Sequence, residues 1–180
     1  IVILNICSKT ELMKILVTGV AGFIGFNLSK FLLDKRFKVI GLDNINNYYS
    51  IHLKKDRLKK LKQVNNFKFY KIDLRDTKKL DKIFKKHKFD AIFHFAAQAG
   101  VRYSVDHPRK YIDSNINGFF NILEKVRTKK IKKFFYASSS SVYGNSKLFP
   151  LKEKNLLFPT NTYSLTKKFN EDLSLIYNKF

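Results

Sequence analysis

A chain of 180 residues is one domain's worth, long enough to bury roughly 70% of its unfolded surface, and its 44% hydrophobic and 15% aromatic content excludes disorder. One Cys, Cys7, excludes an internal disulfide framework and a cysteine-rich zinc site, and no apolar run reaches the ~20 residues of a membrane helix. The net charge of +22 would suggest a nucleic-acid partner, but only six of the 36 basic residues are Arg, the residue suited to two-point contacts with phosphate and guanine; the joint wealth of Lys, Ile, Asn and Phe is read instead as the bias of A/T-rich codons.

Residues 1–7 are apolar but lack a basic n-region, so they fit a secretory signal poorly. Met13 opens the first strand-like run, and 1–12 are expected to be a non-functional N-terminal extension. Residues 14–18 are short, apolar and partly β-branched, which predicts a buried strand. Ile24, Leu28, Phe31 and Leu32 recur at helical spacing over 23–35. A second strand is predicted at 38–42, ending at Asp43, and an Asn-rich loop at 44–50. The Lys-rich segment 52–64 predicts a helix, with 54–62 read as a solvated face. A third strand follows at 67–72, ending at Asp73, then a helix at 77–87 and a fourth strand at 90–95. Pro108 suits the first turn of a helix running to about Arg127, with Ile112, Ile116, Phe119, Leu123 and Val126 on one stripe. Residues 133–137 predict a fifth strand before a Ser run, and 162–177 a last helix.

This alternation of strands and helices implies an α/β fold of the Rossmann type, a doubly wound parallel sheet with helices on both faces. In such sheets ligands bind beyond the carboxyl ends of the strands. The chemistry is therefore expected at 18–25, 43–49, 73–74, 96–104 and 138–145.

Thr18-Gly19-Val20-Ala21-Gly22-Phe23-Ile24-Gly25 lies between the first strand and the first helix. Its G-x-x-G-x-x-G spacing is a variant of the dinucleotide fingerprint. One Gly makes the tight turn, one lets the backbone approach a pyrophosphate, and Gly25 lets the helix pack close to the strand. The helix N-terminus then offers free N–H groups and a partial positive charge. Asp43, at the end of the second strand, can accept hydrogen bonds from ribose hydroxyls and repel a 2′-phosphate, which favours NAD over NADP. The same Asp43-Asn44 pair also suits a plain turn.

Tyr163 and Lys167 are four apart on the last helix and share a face. A neighbouring ammonium lowers the pKa of a phenol and makes it a usable base. The Ser138–Ser141 run precedes Val142-Tyr143-Gly144 and offers a hydroxyl to the same substrate oxygen.

Together these motifs resemble the extended short-chain dehydrogenase/reductase superfamily, the NAD-dependent epimerases and dehydratases, over residues 13–180. The resemblance covers the N-terminal cofactor half of such enzymes. It implies a truncated NAD-binding Rossmann domain at 13–180, with the C-terminal substrate domain missing. Ser140 and Ser141 stand where dehydratases carry Asp and Glu, and Ser141 where decarboxylases carry Glu. The Leu42–Tyr49 and Ala96–Ser104 segments are similar to those of UDP-glucuronate 4-epimerases.

Carried over residue by residue, the resemblance makes Ser139, Tyr163 and Lys167 catalytic. Ser139 holds the sugar 4-oxygen, Tyr163 is the base, and Lys167 lowers its pKa and holds the nicotinamide ribose. The cofactor set is Gly19, Gly22, Phe23, Ile24, Gly25, Asp43, Asn44, Asp73, Leu74, Ala96, Ala97, Gln98 and Asn115, together with Tyr163 and Lys167. Ser139, Ser140 and Arg102 are the substrate candidates, and no metal is expected. The implied activity inverts C4 of a UDP-sugar through a transient 4-keto intermediate with no net consumption of NAD, and converts UDP-glucuronate to UDP-galacturonate. The resemblance further implies a cytoplasmic enzyme, a homodimer when full length, with no membrane or specific nucleic-acid partner. Another UDP-hexose epimerase or dehydratase, an inactive NAD-binding fragment and a basic nucleic-acid-binding module stay open as alternatives. For Tyr48 and Tyr49, capping the site and packing on the sheet are both open, and His94 is expected in the core.

Overall fold

The computed structural model describes residues 12–179; residues 1–11 of the expected extension lie outside them. Among the described residues five strands form one sheet: β1 (Lys14–Thr18), β2 (Lys38–Asp43), β3 (Phe67–Lys71), β4 (Ala91–His94) and β5 (Phe134–Tyr136). All are parallel, in the order β3-β2-β1-β4-β5. The chain turns back at the β1/β4 boundary, which is where an open α/β sheet opens a crevice.

Alternation along β1 explains the two layers. Ile15 and Val17 join Leu32 and Leu33 of α1 (Phe23–Asp34) and Leu58 and Leu61 of α2 (Ile51–Lys62) in one core. Leu16 points the other way. It joins Leu80, Ile83 and Phe84 of α3 (Thr77–Lys86) and Ile122 of the helix after β4. Each such fully buried aliphatic contributes about 1.5–3 kcal/mol. The Rossmann reading of the sequence therefore holds, with helices on both faces.

Three details differ from the periodicity. The buried face of α1 is Gly25, Ser29, Leu32 and Leu33, while Ile24 and Phe31 are exposed. Packing at Gly25 against the glycine turn sets that rotation, and the apolar spacing does not. An additional helix, α4 (Val101–Asp106), lies within the predicted connection after β4. The long helix after it is α5 (Pro108–Tyr111), a π-helical turn (Ile112–Asn117) and α6 (Gly118–Thr128). The wider turn shifts the register, so Tyr111, Asn115, Phe119, Ile122 and Leu123 are buried and Ile112 is exposed.

Helix starts follow local chemistry. Ser50 caps α2 through Leu53 N–H and Asp76 caps α3 through Lys79 N–H. Asn161 and Ser164 form a reciprocal capping box on α7 (Thr162–Tyr177). α1 begins after Gly22 with no side-chain cap. Its first-turn N–H groups thus lack an intrahelical acceptor, at the place where the sequence motif requires free donors. Among the described residues, no helix is long and apolar enough to cross a membrane.

Candidate active site

The strand ends build a cleft of about 260 Å³. It brings together Gly19, Gly22, Asp43, Asn44, Asp73, Leu74, Ala96 and Ala97, eight of the predicted cofactor residues. Gly19 has φ +69°, and a Cβ there would lie 2.6 Å from Ala96 N. A Cβ on Gly25 would lie 2.3 Å from Gly19 O, so the start of α1 sits on the turn with room for hydrogen only. Phe23 and Ile24 are exposed on the first turn of α1.

Asp43 is buried, and its two carboxylate oxygens accept from Ala21 N–H (3.0 Å) and Ile45 N–H (2.8 Å). This couples the end of β2 to the glycine turn. Each oxygen keeps capacity to accept a further hydrogen bond, and the residue lines the cleft. Asp73 accepts from Arg75 Nε (2.8 Å) and Nη2 (2.9 Å) and from Asn44 Nδ2 (3.0 Å). The Arg75 guanidinium holds the Asp73 carboxyl far below the usual carboxylate range.

Behind Ala96 and Ala97 the positions are fixed from below. Ala96 N–H donates to Thr18 Oγ1 (3.2 Å), whose hydroxyl faces His94 Nδ1 at 3.0 Å. His94 is fully buried, and burial pushes its pKa down to about 3, which keeps it neutral. Gln98 is buried, and its N–H donates to Asn115 Oδ1 (2.7 Å). Asn115 Nδ2 donates to Gln98 O (3.0 Å) and Thr166 Oγ1 (3.1 Å). The Asn115 amide thus joins the Gln98 backbone to α7.

α7 carries Tyr163 and Lys167 on one face. The Lys167 ammonium is 5.9 Å from the Tyr163 ring centroid and donates to Ala137 O (2.9 Å), just past β5. Lys167 is buried, and that burial lowers its pKa to about 8. The Ser run follows at once. Ser138 Oγ donates to Glu171, one turn further along α7. Ser139 caps the 3₁₀ turn Ser140–Tyr143 through Ser141 N–H (3.2 Å), and its hydroxyl lies 2.9 Å from Ser141 Oγ. Ser140 and Arg102 are exposed. The structure therefore gathers eight of the predicted cofactor residues in one cleft and places the Tyr–Lys pair at the end of β5.

Sequence reasoning missed Lys54 in the cleft wall and the buried Tyr111, and left the place of Tyr48 and Tyr49 open. Lys54, assigned to a solvated face, is only 4% exposed. Its amine donates to Asn46 O (2.8 Å) and Asn46 Oδ1 (2.6 Å), and burial lowers its pKa. The signal was present: Lys54, Leu58 and Leu61 fall at i, i+4 and i+7 on one buried face. Tyr48 and Tyr49 line the cleft, so of the two openings for them it is the site that they border. Tyr111 is wholly buried, and its hydroxyl lies 2.7 and 2.6 Å from the carbonyls of Ala99 and Gly100. Its ring meets the edge of Tyr163 at 6.0 Å. Only tertiary packing brings these two rings together.

The fold is shared with proteins of known kind. Protein CapI of Staphylococcus aureus is 49% identical over 168 residues, covering 92% of this chain and 50% of that protein. The UDP-glucuronate 4-epimerase of Thermodesulfobacterium geofontis is 44% identical over 164 residues, covering 91% of this chain and 50% of that enzyme. The crystal structure of UDP-glucuronic acid 4-epimerase from Bacillus cereus in complex with UDP-glucuronic acid and NAD superposes with a TM-score of 0.85 at 36% identity, covering 93% of this chain and 52% of that one. The chain spans about half the length of the curated relatives it matches. The family model described as GDP-mannose 4,6 dehydratase matches residues 16–179, and with nearly its whole described length inside that match the chain belongs to this family of NAD-dependent epimerases and dehydratases.

Proposed function

We propose that this chain is the cofactor-binding half of an NAD-dependent UDP-sugar 4-epimerase, and that its substrate is UDP-glucuronate. The observation that carries the reading is the pairing on α7: Tyr163 beside a buried Lys167 ammonium, itself anchored to the carbonyl of Ala137, the residue directly before the Ser run. The cleft fits NAD. The uncapped start of α1 and the glycine turn suit a pyrophosphate, Asp43 suits the ribose diol, and Asp73 with Leu74 suits the adenine.

In this reading NAD, when bound, supplies a hydride acceptor that is regenerated within each turnover. The rest is the work of the chain's own residues. Tyr163 takes the proton of the sugar 4-hydroxyl and later returns one to the 4-oxygen. The Lys167 ammonium stands 5.9 Å from the Tyr163 ring centroid, beside the group that exchanges this proton. Ser139 turns its hydroxyl from Ser141 toward the sugar 4-oxygen and orients it. Gln98 and Asn115 fix the floor along the cofactor, while Ser140 and Arg102 are the substrate contacts. The same reading takes residues 13–180 as the domain, a homodimer as the assembly of the whole protein and the cytoplasm as its location.

The glucuronate assignment is supported by Ser140 and Ser141 at positions where dehydratases and decarboxylases carry acids, and by the identity to the Thermodesulfobacterium geofontis enzyme. The test is to supply UDP-glucuronate and UDP-glucose separately to the whole protein and separate the products. UDP-galacturonate from the first, with no net NADH, is the expected outcome. Epimerisation of UDP-glucose alone would overturn the substrate and keep the mechanism. Carbon dioxide or a 4-keto-6-deoxy product would overturn both.

A further inference from the structure

The segment between β2 and α2, Asn44–Tyr49, forms one wall of the cleft, yet it has no ladder or turn of its own. Among the described residues, no backbone–backbone hydrogen bond involves residues 44–49. Side chains hold it instead. Ile45 N–H donates to Asp43 (2.8 Å), Asn44 Nδ2 donates to Asp73 (3.0 Å), and Tyr49 OH donates to Ala21 O (3.3 Å). At the centre of the segment, both oxygens of Asn46 accept from the Lys54 ammonium, at 2.8 and 2.6 Å. The same ammonium lies 4.3 Å from the Tyr49 ring centroid.

We propose that Lys54 is a positioning residue that locks the Asn44–Tyr49 strap in place and thereby shapes the adenosine end of the cofactor cleft. Burying an ammonium is costly unless several partners meet it, and here two charge-assisted bonds and an aromatic face do so. A solvated lysine would do none of this. Lys54 reaches the strap because α2 turns its 54, 58, 61 face inward, and Leu58 and Leu61 anchor that face in the core. The strap in turn touches both sides of the site. Tyr49 reaches the glycine turn at Ala21, while the Tyr48 hydroxyl packs so close to Gly100 that a Cβ there would lie 2.3 Å from it. The Tyr48 ring also meets Tyr103 of α4 at 5.0 Å. Fixing Asn46 therefore fixes the two tyrosines that border the cleft. The strap's contribution to cofactor affinity rests on the NAD reading above, whereas its attachment to Lys54 does not.

Lys54→Met keeps the length of the side chain and removes the three donors; Lys54→Arg keeps a charged donor. The experiment compares both with the wild-type chain by calorimetric titration of NAD, ADP-ribose and nicotinamide mononucleotide, and by hydrogen exchange without ligand. In Lys54→Met, exchange at 45–49 is expected to speed up, and affinity for NAD and ADP-ribose to fall roughly tenfold or more, as for lost hydrogen bonds to a charged group. Nicotinamide mononucleotide affinity and the unfolding midpoint are expected to stay, and Lys54→Arg to recover most of the loss. Unchanged exchange at 45–49 overturns the inference, and so does faster exchange with ADP-ribose affinity intact. Equal loss for nicotinamide mononucleotide, with a lowered midpoint, overturns it too, by making Lys54 a general stabiliser. A wild-type chain that binds neither NAD nor ADP-ribose removes the cofactor reading and this inference with it, whereas wild-type binding unchanged in Lys54→Met removes this inference alone.

Discussion

Lys167 Nζ donates to the carbonyl of Ala137 across 2.9 Å, tying the helix that carries Tyr163 to the residue just past β5. One bond thus sets the distance between two segments 30 residues apart, the Ser run and the Tyr–Lys face. It also keeps a charge beneath a phenol ring in a place that water barely reaches.

That burial gives a pH signature. The folded pKa of Lys167 is lowered to about 8 from 10.5, so between these values the unfolded chain binds the extra proton and the folded chain does not. Stability attributable to Lys167 therefore rises with pH across this window, by on the order of 3 kcal/mol in all, and the penalty is fully present below about pH 8. Urea unfolding of the wild-type chain and Lys167→Met at pH 7 and pH 10 measures it. The wild type is expected to gain on the variant as pH rises, and a constant difference would contradict the burial of the charge.

Tyr163→Phe is expected to cut turnover of the whole protein at least ~10²-fold, the scale of general acid–base catalysis, while NAD binding is little changed. In the reading proposed above, most of the grip on the cofactor comes from the glycine turn and Asp43, which lie on other elements than Tyr163. Loss of NAD together with activity would assign Tyr163 a structural role.

Asp43 predicts cofactor choice. Its carboxylate is held in place by Ala21 N–H and Ile45 N–H, and the residue lines the cleft. Calorimetry is expected to show NAD bound at least ~10-fold more tightly than NADP, the effect of one repelled phosphate. The basic Lys54 and Arg75 also border this cleft, so equal affinity would mean that they outweigh Asp43.

Gly25→Ala places a methyl 2.3 Å from Gly19 O and 2.9 Å from Gly19 C, both backbone atoms that cannot step aside alone. The expected cost is about 1–3 kcal/mol of stability, as for overpacking elsewhere, together with loss of NAD binding because the turn must move. Thermal unfolding and a NAD titration read the two effects. Wild-type behaviour in both would show that α1 does not need its close seat.

Much of this protein was legible in its sequence because its signals are local. Strand-length apolar runs, the glycine turn, Pro108 and the Tyr163–Lys167 spacing depend on residues a few positions apart, and backbone sterics or helix geometry alone read them out. The doubly wound sheet followed from the alternation. What the sequence left open depends on contacts between distant segments. The rotation of α1 is set by the seat of Gly25 on Gly19, and the face of the long helix by a π-helical turn that shifts its register. Lys54 looked like one more solvated lysine until the fold placed Asn46 against it. Likewise, the tether from Lys167 to Ala137 and the meeting of Tyr111 with Tyr163 exist only once the sheet has brought β5, the π-turn and α7 together. A side chain's type fixes what it can bond. Which partner it finds is decided by packing, because burial removes water as the default partner and leaves only the groups that the fold supplies.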